Sequence, residues 1–287
     1  MRGRCRARAV MAIAVGAVLV TALVAPANAV EGPERRIRKA AATTARESSA
    51  RVTMRIAVES EGGGGEITAD GVVALSGDRG RLVVDLSDIA GTPATFEERI
   101  VDGIIYLDIA SALEATAREV PSELAGKHWI RIDLSQVSGL GAEQLESLDP
   151  TGGANPRSQV DALRGIDDAV RVGSEPINGT RTTHFRGTLK LSLARQRLEA
   201  LPEELRDRVR AGIEQLFRGD RKLPVDLWLD DQNRLRQMKT TIEVDQPQHA
   251  RVAVTLALPE FDVPVDVSAP PPDETVDFAD FVDVTPS

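Results

Sequence analysis

The sequence predicts an α+β fold: a single antiparallel β-sheet long enough to curl, with helices able to cover its concave face. Three observations carry this. Apolar residues alternate with polar ones in about ten segments, the period of half-buried strands. Asp-Gly, Asn-Gly and other glycine turns separate consecutive segments, so neighbours pair as hairpins. A few intervening segments switch to helical spacing. A long twisted sheet of this kind tends to curl.

The first 29 of the 287 residues stand apart. Arg2, Arg4, Arg6 and Arg8 precede an uncharged apolar run from Val10 to Val24, and Ala27-Asn28-Ala29 follows. That is the pattern of a secretory signal peptide, cleaved after Ala29. The expected organisation is a signal peptide over 1–29, one domain over 30–268, and a flexible acidic, proline-rich tail over 269–287. Cys5, inside the signal, is the single cysteine, so the mature chain has no disulfide, no cysteine metal site and no cysteine to carry a lipid anchor. From residue 30 onward, 31 Lys and Arg face 44 Asp and Glu, a balance of −13. Such a charge disfavours nucleic acid and anionic membrane surfaces as partners.

The elements follow in order. Pro33–Ser48 is alanine-rich with proline at a first turn, a helix. In SARVTMRIAVES, Val52, Met54, Ile56 and Val58 share one face of a strand. Gly62–Gly65 then reads as a flexible hairpin loop, since no Lys-Ser/Thr follows to make it a phosphate cradle. EITADGVVALS and RLVVDLSD flank a turn at Gly77–Gly80, with Leu82, Val84 and Leu86 on one face. Two strands surround Asp102-Gly103, and KHWIRIDL is another. VRVGSEPINGTRTTHFRGTLKLSL forms a hairpin around Asn178-Gly179, with Phe185, Leu189, Leu191 and Leu193 on one face. Asn178-Gly179-Thr180 also fits a glycosylation sequon, but the turn is the main reading. LPVDLWLDDQNRLRQM is two strands and a turn: Leu223, Val225, Leu227 and Leu229 alternate with Pro224, Asp226, Trp228 and Asp230. HARVAVTLAL supplies a last strand. Short helices are expected at Ser111–Val120, Gly141–Leu148 and Asn155–Ile166. The clearest helix is Pro202–Arg218, where Leu205, Val209, Ile213 and Leu216 form one stripe. Its acids and bases are balanced, with no basic face for anionic lipid, so it is expected to lie on the sheet as a lid.

Motifs for chemistry are missing. His128, His184 and His249 fall on or beside strands without metal-ligand spacing, and no G-x-S-x-G elbow occurs. Acidic pairs such as Asp167-Asp168, Glu203-Glu204 and Asp230-Asp231 read as caps, turns and solvated faces. Aromatics are only 3% of the chain, so the strand faces are aliphatic. Such a face fits either a branched-aliphatic core or a surface for an acyl chain. Burial gains about 0.8 kcal/mol per methylene, so a sixteen-carbon chain gains on the order of 12 kcal/mol before ordering costs.

Several segments carry a family resemblance. VDGIIYL, HWIRIDL, VGSEPINGTRTTHFRGTL, LPVDLWLDDQNRLRQM and FDVPVDVSAPPPDETV occur in this order between residues 101 and 276. Together they resemble the actinobacterial LppX/LprA/LprG-type lipoproteins of the LolA-like superfamily. The resemblance implies a half-open antiparallel β-barrel whose concave face helices close over a hydrophobic cavity for acylated lipids or glycolipids. It implies no enzyme activity and no cofactor. The departure is Ala27-Asn28-Ala29, standing where relatives carry a lipobox cysteine, so the protein is expected free in the cell envelope or secreted.

The expected function is therefore a secreted, non-enzymatic lipid or glycolipid carrier, monomeric, without metal or cofactor. Its apolar lining is expected from Met54, Ile56, Val84, Leu86, Phe96, Ile100, Phe185, Leu189, Leu227, Leu229, Val254 and Leu256. The alternative is an envelope sensor or protein-interaction module on the same fold, with a small or filled cavity and a cell-envelope protein as partner.

Overall fold

The computed structural model describes residues 32–61, 63–108, 110–111, 126–133, 160, 163–190, 222–244 and 250–278. The signal segment, the lid-helix residues Leu205, Val209, Ile213 and Leu216, the candidate helix 141–148, most of 111–120, and Leu191, Leu193 and His249 lie outside them.

Helix α1 spans Pro33–Thr44, with Pro33 in its first turn. A meander follows: β1 (Ser49–Ser60), β2 (Gly63–Ala74), β3 (Arg79–Asp85), the single-turn helix α2 (Ser87–Ala90), β4 (Thr95–Val101), β5 (Ile104–Asp108) and β6 (Trp129–Ile132). A second meander runs through β7 (Ile166–Ile177), β8 (Thr180–Lys190), β9 (Lys222–Asp230), β10 (Leu235–Val244) and β11 (Ala250–Ala257), and a short β12 (Thr275–Asp277) ends the order. The two meanders join where β1 pairs antiparallel with β11. The result is one open, curved sheet in the order β12-β6-β5-β4-β3-β2-β1-β11-β10-β9-β8-β7.

The turn chemistry works as the sequence suggests. Asp102 and Gly103 (φ 53° and 79°) link β4 to β5, and Asn178 and Gly179 (φ 48° and 77°) link β7 to β8. Positive φ at both central residues is the twist-matched two-residue hairpin turn, which Asn-Gly and Asp-Gly adopt readily.

The structure departs from the expectations at five places. Gly63, Gly64 and Gly65 belong to β2 and pair with Ser60, Glu59 and Val58, so the glycine run is mostly strand. The turn between β2 and β3 begins at Leu75, and Arg79 and Gly80 are already strand. At the end of the expected helix 155–166, Leu163–Gly165 form a 3₁₀ turn and Ile166 opens β7; Val160 is helical, and the rest of that span lies outside the described residues. The sheet is not wholly antiparallel, because β12 runs parallel to β6. The chain also stays with the domain beyond 268. It crosses the face carrying Tyr106 and Trp129, where Val267 packs against them, and Arg99 donates to the Ser268 carbonyl at 3.3 Å. It then adds β12 and buries Phe278 among Met54, Val84, Phe96 and Leu107. The acidic composition masked this; Val263, Val265 and Val267, just before the tail, supply a half-buried apolar row.

One β2 position depends on glycine. A Cβ at Gly71 would lie 1.9 Å from the Arg81 carbonyl oxygen, so β2 and β3 approach here only because residue 71 has no side chain.

Candidate functional site

Register determines what each face of the sheet presents. In an antiparallel pair, residues directly opposite one another project to the same side. Following partners across the sheet gives one line: Phe185, Leu227, Met238, Leu256, Met54, Ala69, Val84 and Phe96, running from β8 to β4. Every member is buried. This is the inner face. Ile56 pairs with Val254, Ile100 pairs with Ile105, and Leu189 pairs with Leu223, all on the same side. Leu229 extends the inner side of β9 by the same alternation and is buried. Leu86 packs beside Val84 and Phe96.

Burial along this face is uneven. On one side of the line, α1 lays Ile37, Ala40 and Ala41 into a cluster with Val52, Val73, Phe185, Leu227, Leu229 and Leu258. Leu227 and Leu229 have no accessible surface, so no water-sized space borders them. They pack in the core that includes α1. On the other side, beyond Met54 and Leu256, the same face opens. Ile56, Val58, Ile67, Ile242, Val252 and Val254 are all only half-buried. They form two adjacent rows on β10, β11, β1 and β2, with Thr240 the single hydroxyl among them. The Thr240 hydroxyl donates to the Pro224 carbonyl at 2.9 Å, so it adds little polarity.

These rows are an apolar shelf. Ile56 and Val254 belong to the expected lining, as do the half-buried Ile100, Leu86 and Leu189 elsewhere on the face. Met54, Val84, Phe96, Phe185, Leu227, Leu229 and Leu256 form the packed floor beside it. Val58, Ile67, Ile242 and Val252 were not among the expected lining, although alternation within their strands places them on this side. Alternation also places Glu98 inward. It pairs with Leu82 and Leu107 and is 7% exposed, a carboxyl on an aliphatic face.

A polar hub fixes the closed end. Asp230 is more than a turn residue: it is 3% exposed at the end of β9. Its carboxylate accepts from the amides of Gln232 (3.0 Å) and Arg234 (2.8 Å), and from Nε of Arg234 and of Arg236 (both 2.9 Å). Burial pushes this carboxyl upward, but the hydrogen bonds from the Arg234 amide and the Arg236 and Arg234 guanidinium groups outweigh it and hold it below the ordinary range. Arg236 is the extra residue of a β-bulge, and it donates to the Pro259 carbonyl at 2.7 Å. The Leu235 amide donates to Thr44 Oγ1 at 2.8 Å, and Asn233 and Arg36 exchange two hydrogen bonds. The β9–β10 turn is thereby fastened to α1.

On β8 and β9 the opposite face is polar. His184 stacks on Trp228 with ring centres 4.4 Å apart, and its Nε2 lies 2.7 Å from Asp226. Trp228 Nε1 donates to Glu175 at 2.6 Å, and Arg186 donates to Asp226 at 2.9 Å. Trp228 thus sits away from the shelf and is buried by its neighbours on that side. Among the described residues, no group of His, Cys, Asp and Glu is arranged to hold a metal, and no helix is long and apolar enough to cross a membrane.

No family model matches the chain. An uncharacterised 31.2 kDa protein of Streptomyces griseus is 26% identical over 197 residues, 67% of this chain and 60% of that protein. The chain thus spans less than two thirds of that relative's length. A candidate lipoprotein of Streptomyces coelicolor is 24% identical over 263 residues, 89% of this chain and 79% of that protein. Among solved structures, the Mycobacterium tuberculosis lipoprotein LppX matches at 15% identity and a TM-score of 0.46, over 82% of this chain and 97% of LppX.

Proposed function

We propose that this protein is an extracytoplasmic, non-enzymatic carrier of acylated lipid or glycolipid. The observation that supports it best is the apolar shelf. Half-buried aliphatic rows lie on the inner face of an open sheet, directly beside a fully packed row of the same chemistry. A core would bury both rows alike; a surface kept for an alkyl chain stays partly open until the chain arrives. In this reading the chain lies along Ile56, Val58, Ile67, Ile242, Val252 and Val254, over the packed floor. In the same reading the helix expected at Pro202–Arg218 would serve as the lid through Leu205, Val209, Ile213 and Leu216. The signal peptide is cleaved after Ala29, the mature protein acts as a monomer, and without a lipobox cysteine it is unanchored. No cofactor or metal takes part.

Native mass spectrometry of the purified mature protein is the test. The reading expects a co-purifying lipid adduct, or saturable uptake of a fluorescent fatty acid or phospholipid analogue by delipidated protein. Absence of both would favour a sensor or protein-interaction role on the same fold.

A further inference from the structure

The chain's own C-terminal segment is delivered to the side of the shelf. β12 pairs with β6, and the next residue, Phe278, is 2% exposed among Met54, Ala69, Val84 and Phe96 of the inner face. Ile67 and Leu86, both half-buried, pack against this same cluster. Ile67 pairs with Ile56, and Ile56 pairs with Val254. The cluster that buries Phe278 therefore passes without a break into the open rows. The β8–β9 connection joins the sheet on the other side of the shelf, beyond β10.

Phe278 is also where the backbone becomes helical. The sequence after it reads Ala279-Asp280-Phe281-Val282-Asp283-Val284 and runs to Ser287. At helical spacing Phe281 and Val282, three and four residues on, share the side of Phe278, and Asp280 and Asp283 fall on the opposite side. An apolar stripe with a charged back suits a segment laid on an apolar surface. Its length is sufficient. From Ile67 on β2 to Thr240 on β10 the shelf crosses three strand spacings, about 14 Å. Residues 279–287 span about 13 Å as a helix and about 30 Å if extended.

We infer that residues 279–287 are a competing occupant of the shelf: without lipid, Phe281 and Val282 lie on Ile67 and Ile56, and an incoming alkyl chain displaces them. The inference rests on the carrier reading for its ligand and adds the regulation of that site. An open aliphatic face in water favours contact with any apolar group tethered beside it. Held by Phe278, the segment has an effective concentration on the order of 1 mM. With an intrinsic Kd of about 0.1 mM it covers the shelf roughly nine-tenths of the time, which weakens lipid binding about tenfold.

The mature chain has no cysteine, since Cys5 lies in the signal segment, so an engineered disulfide can report the contact. Delipidated Ile67→Cys/Phe281→Cys protein, oxidised with copper phenanthroline, forms the intramolecular bond, read by peptide mass, and loading with palmitate beforehand suppresses it. Arg55→Cys/Phe281→Cys, whose first cysteine is on the outer face of β1, stays reduced. Deletion of 279–287 and, at full length, Phe281→Ser/Val282→Ser each tighten binding of a fluorescent fatty-acid reporter about tenfold, with unchanged circular dichroism. No bond in the inner pair, or as much in the outer pair, would overturn the inference. So would unchanged or weaker reporter affinity in both tail variants, and tightening in Leu205→Ser/Val209→Ser alone would assign the cover to Pro202–Arg218 instead. Wild-type protein that takes up no reporter removes the carrier reading. The disulfide pairs then decide the tail contact by themselves: bond formation in the inner pair upholds it, and its absence overturns it.

Discussion

The inner face offers a perturbation that separates stability from binding. Leu227 and Ile56 are both aliphatic and both inward, but they occupy different environments. Leu227 has no accessible surface and packs in the cluster that holds Ile37 and Ala40 of α1. Truncating it to Ala leaves a cavity, at a cost of about 2–5 kcal/mol. For a domain of this size each kcal/mol lowers Tm by roughly 2–4 °C, so Leu227→Ala melts about 4–20 °C lower. Ile56 is half-buried, and Ile56→Asp leaves the packed row intact. It removes the apolar contact for two or three methylenes, about 2 kcal/mol, which is roughly thirtyfold in Kd. Differential scanning fluorimetry reads the first effect and reporter displacement the second. The reasoning predicts opposite patterns: a low Tm with near-native Kd for Leu227→Ala, and a near-native Tm with weakened Kd for Ile56→Asp. A folded Ile56→Asp protein with unchanged Kd would refute it, because the accessible rows would then not be the surface that meets the chain.

Three further outcomes follow from the same packing. Gly71→Val should fail to fold or lose several kcal/mol, because its Cβ would overlap the Arg81 carbonyl, while Gly173→Ala, with open space around it, should melt like wild type; soluble yield and Tm decide. The Asp230 carboxyl is held below its ordinary range, so its contribution is complete above the unfolded carboxylate value of about 3.9 and is lost as pH falls below it. Asp230→Asn should cost about 3 kcal/mol at pH 7 by stranding the Arg236 guanidinium, and should show a shallower loss of stability on acidification than wild type in urea titrations. Phe278→Ala should cost about 3 kcal/mol, because the ring is buried among Met54, Val84 and Phe96; a variant as stable as wild type would mean the terminal strand adds nothing to the core.

Much of this architecture is legible in the chain because β-structure writes a local signal. Val52, Met54, Ile56 and Val58 alternate, and the register then carries that parity across the sheet. Asn178-Gly179 and Asp102-Gly103 mark their turns because few other residue pairs accept positive φ twice in succession. What stayed hidden depends on distant partners. Nothing local says that Ile56 is open while Met54 is closed; Met54 is closed by a cluster that Phe278, distant in sequence, completes. The parallel pairing of β12 needs the free edge of β6, and the bulge at Arg236 needs the buried Asp230 carboxylate that it satisfies. Glu98 is a different case. Its parity between Phe96 and Ile100 was readable, but the expectation that acids face water obscured it.

The account rests on the shelf holding an alkyl chain, and photocrosslinking tests that most directly. Delipidated mature protein is loaded with a fatty-chain lipid carrying a diazirine in the chain, irradiated, digested and sequenced by tandem mass spectrometry. The account predicts adducts on the peptides containing Ile56 and Val58 of β1 and Val252 and Val254 of β11. Adducts confined to the face of Trp228 and His184, or spread evenly over the surface, would contradict it.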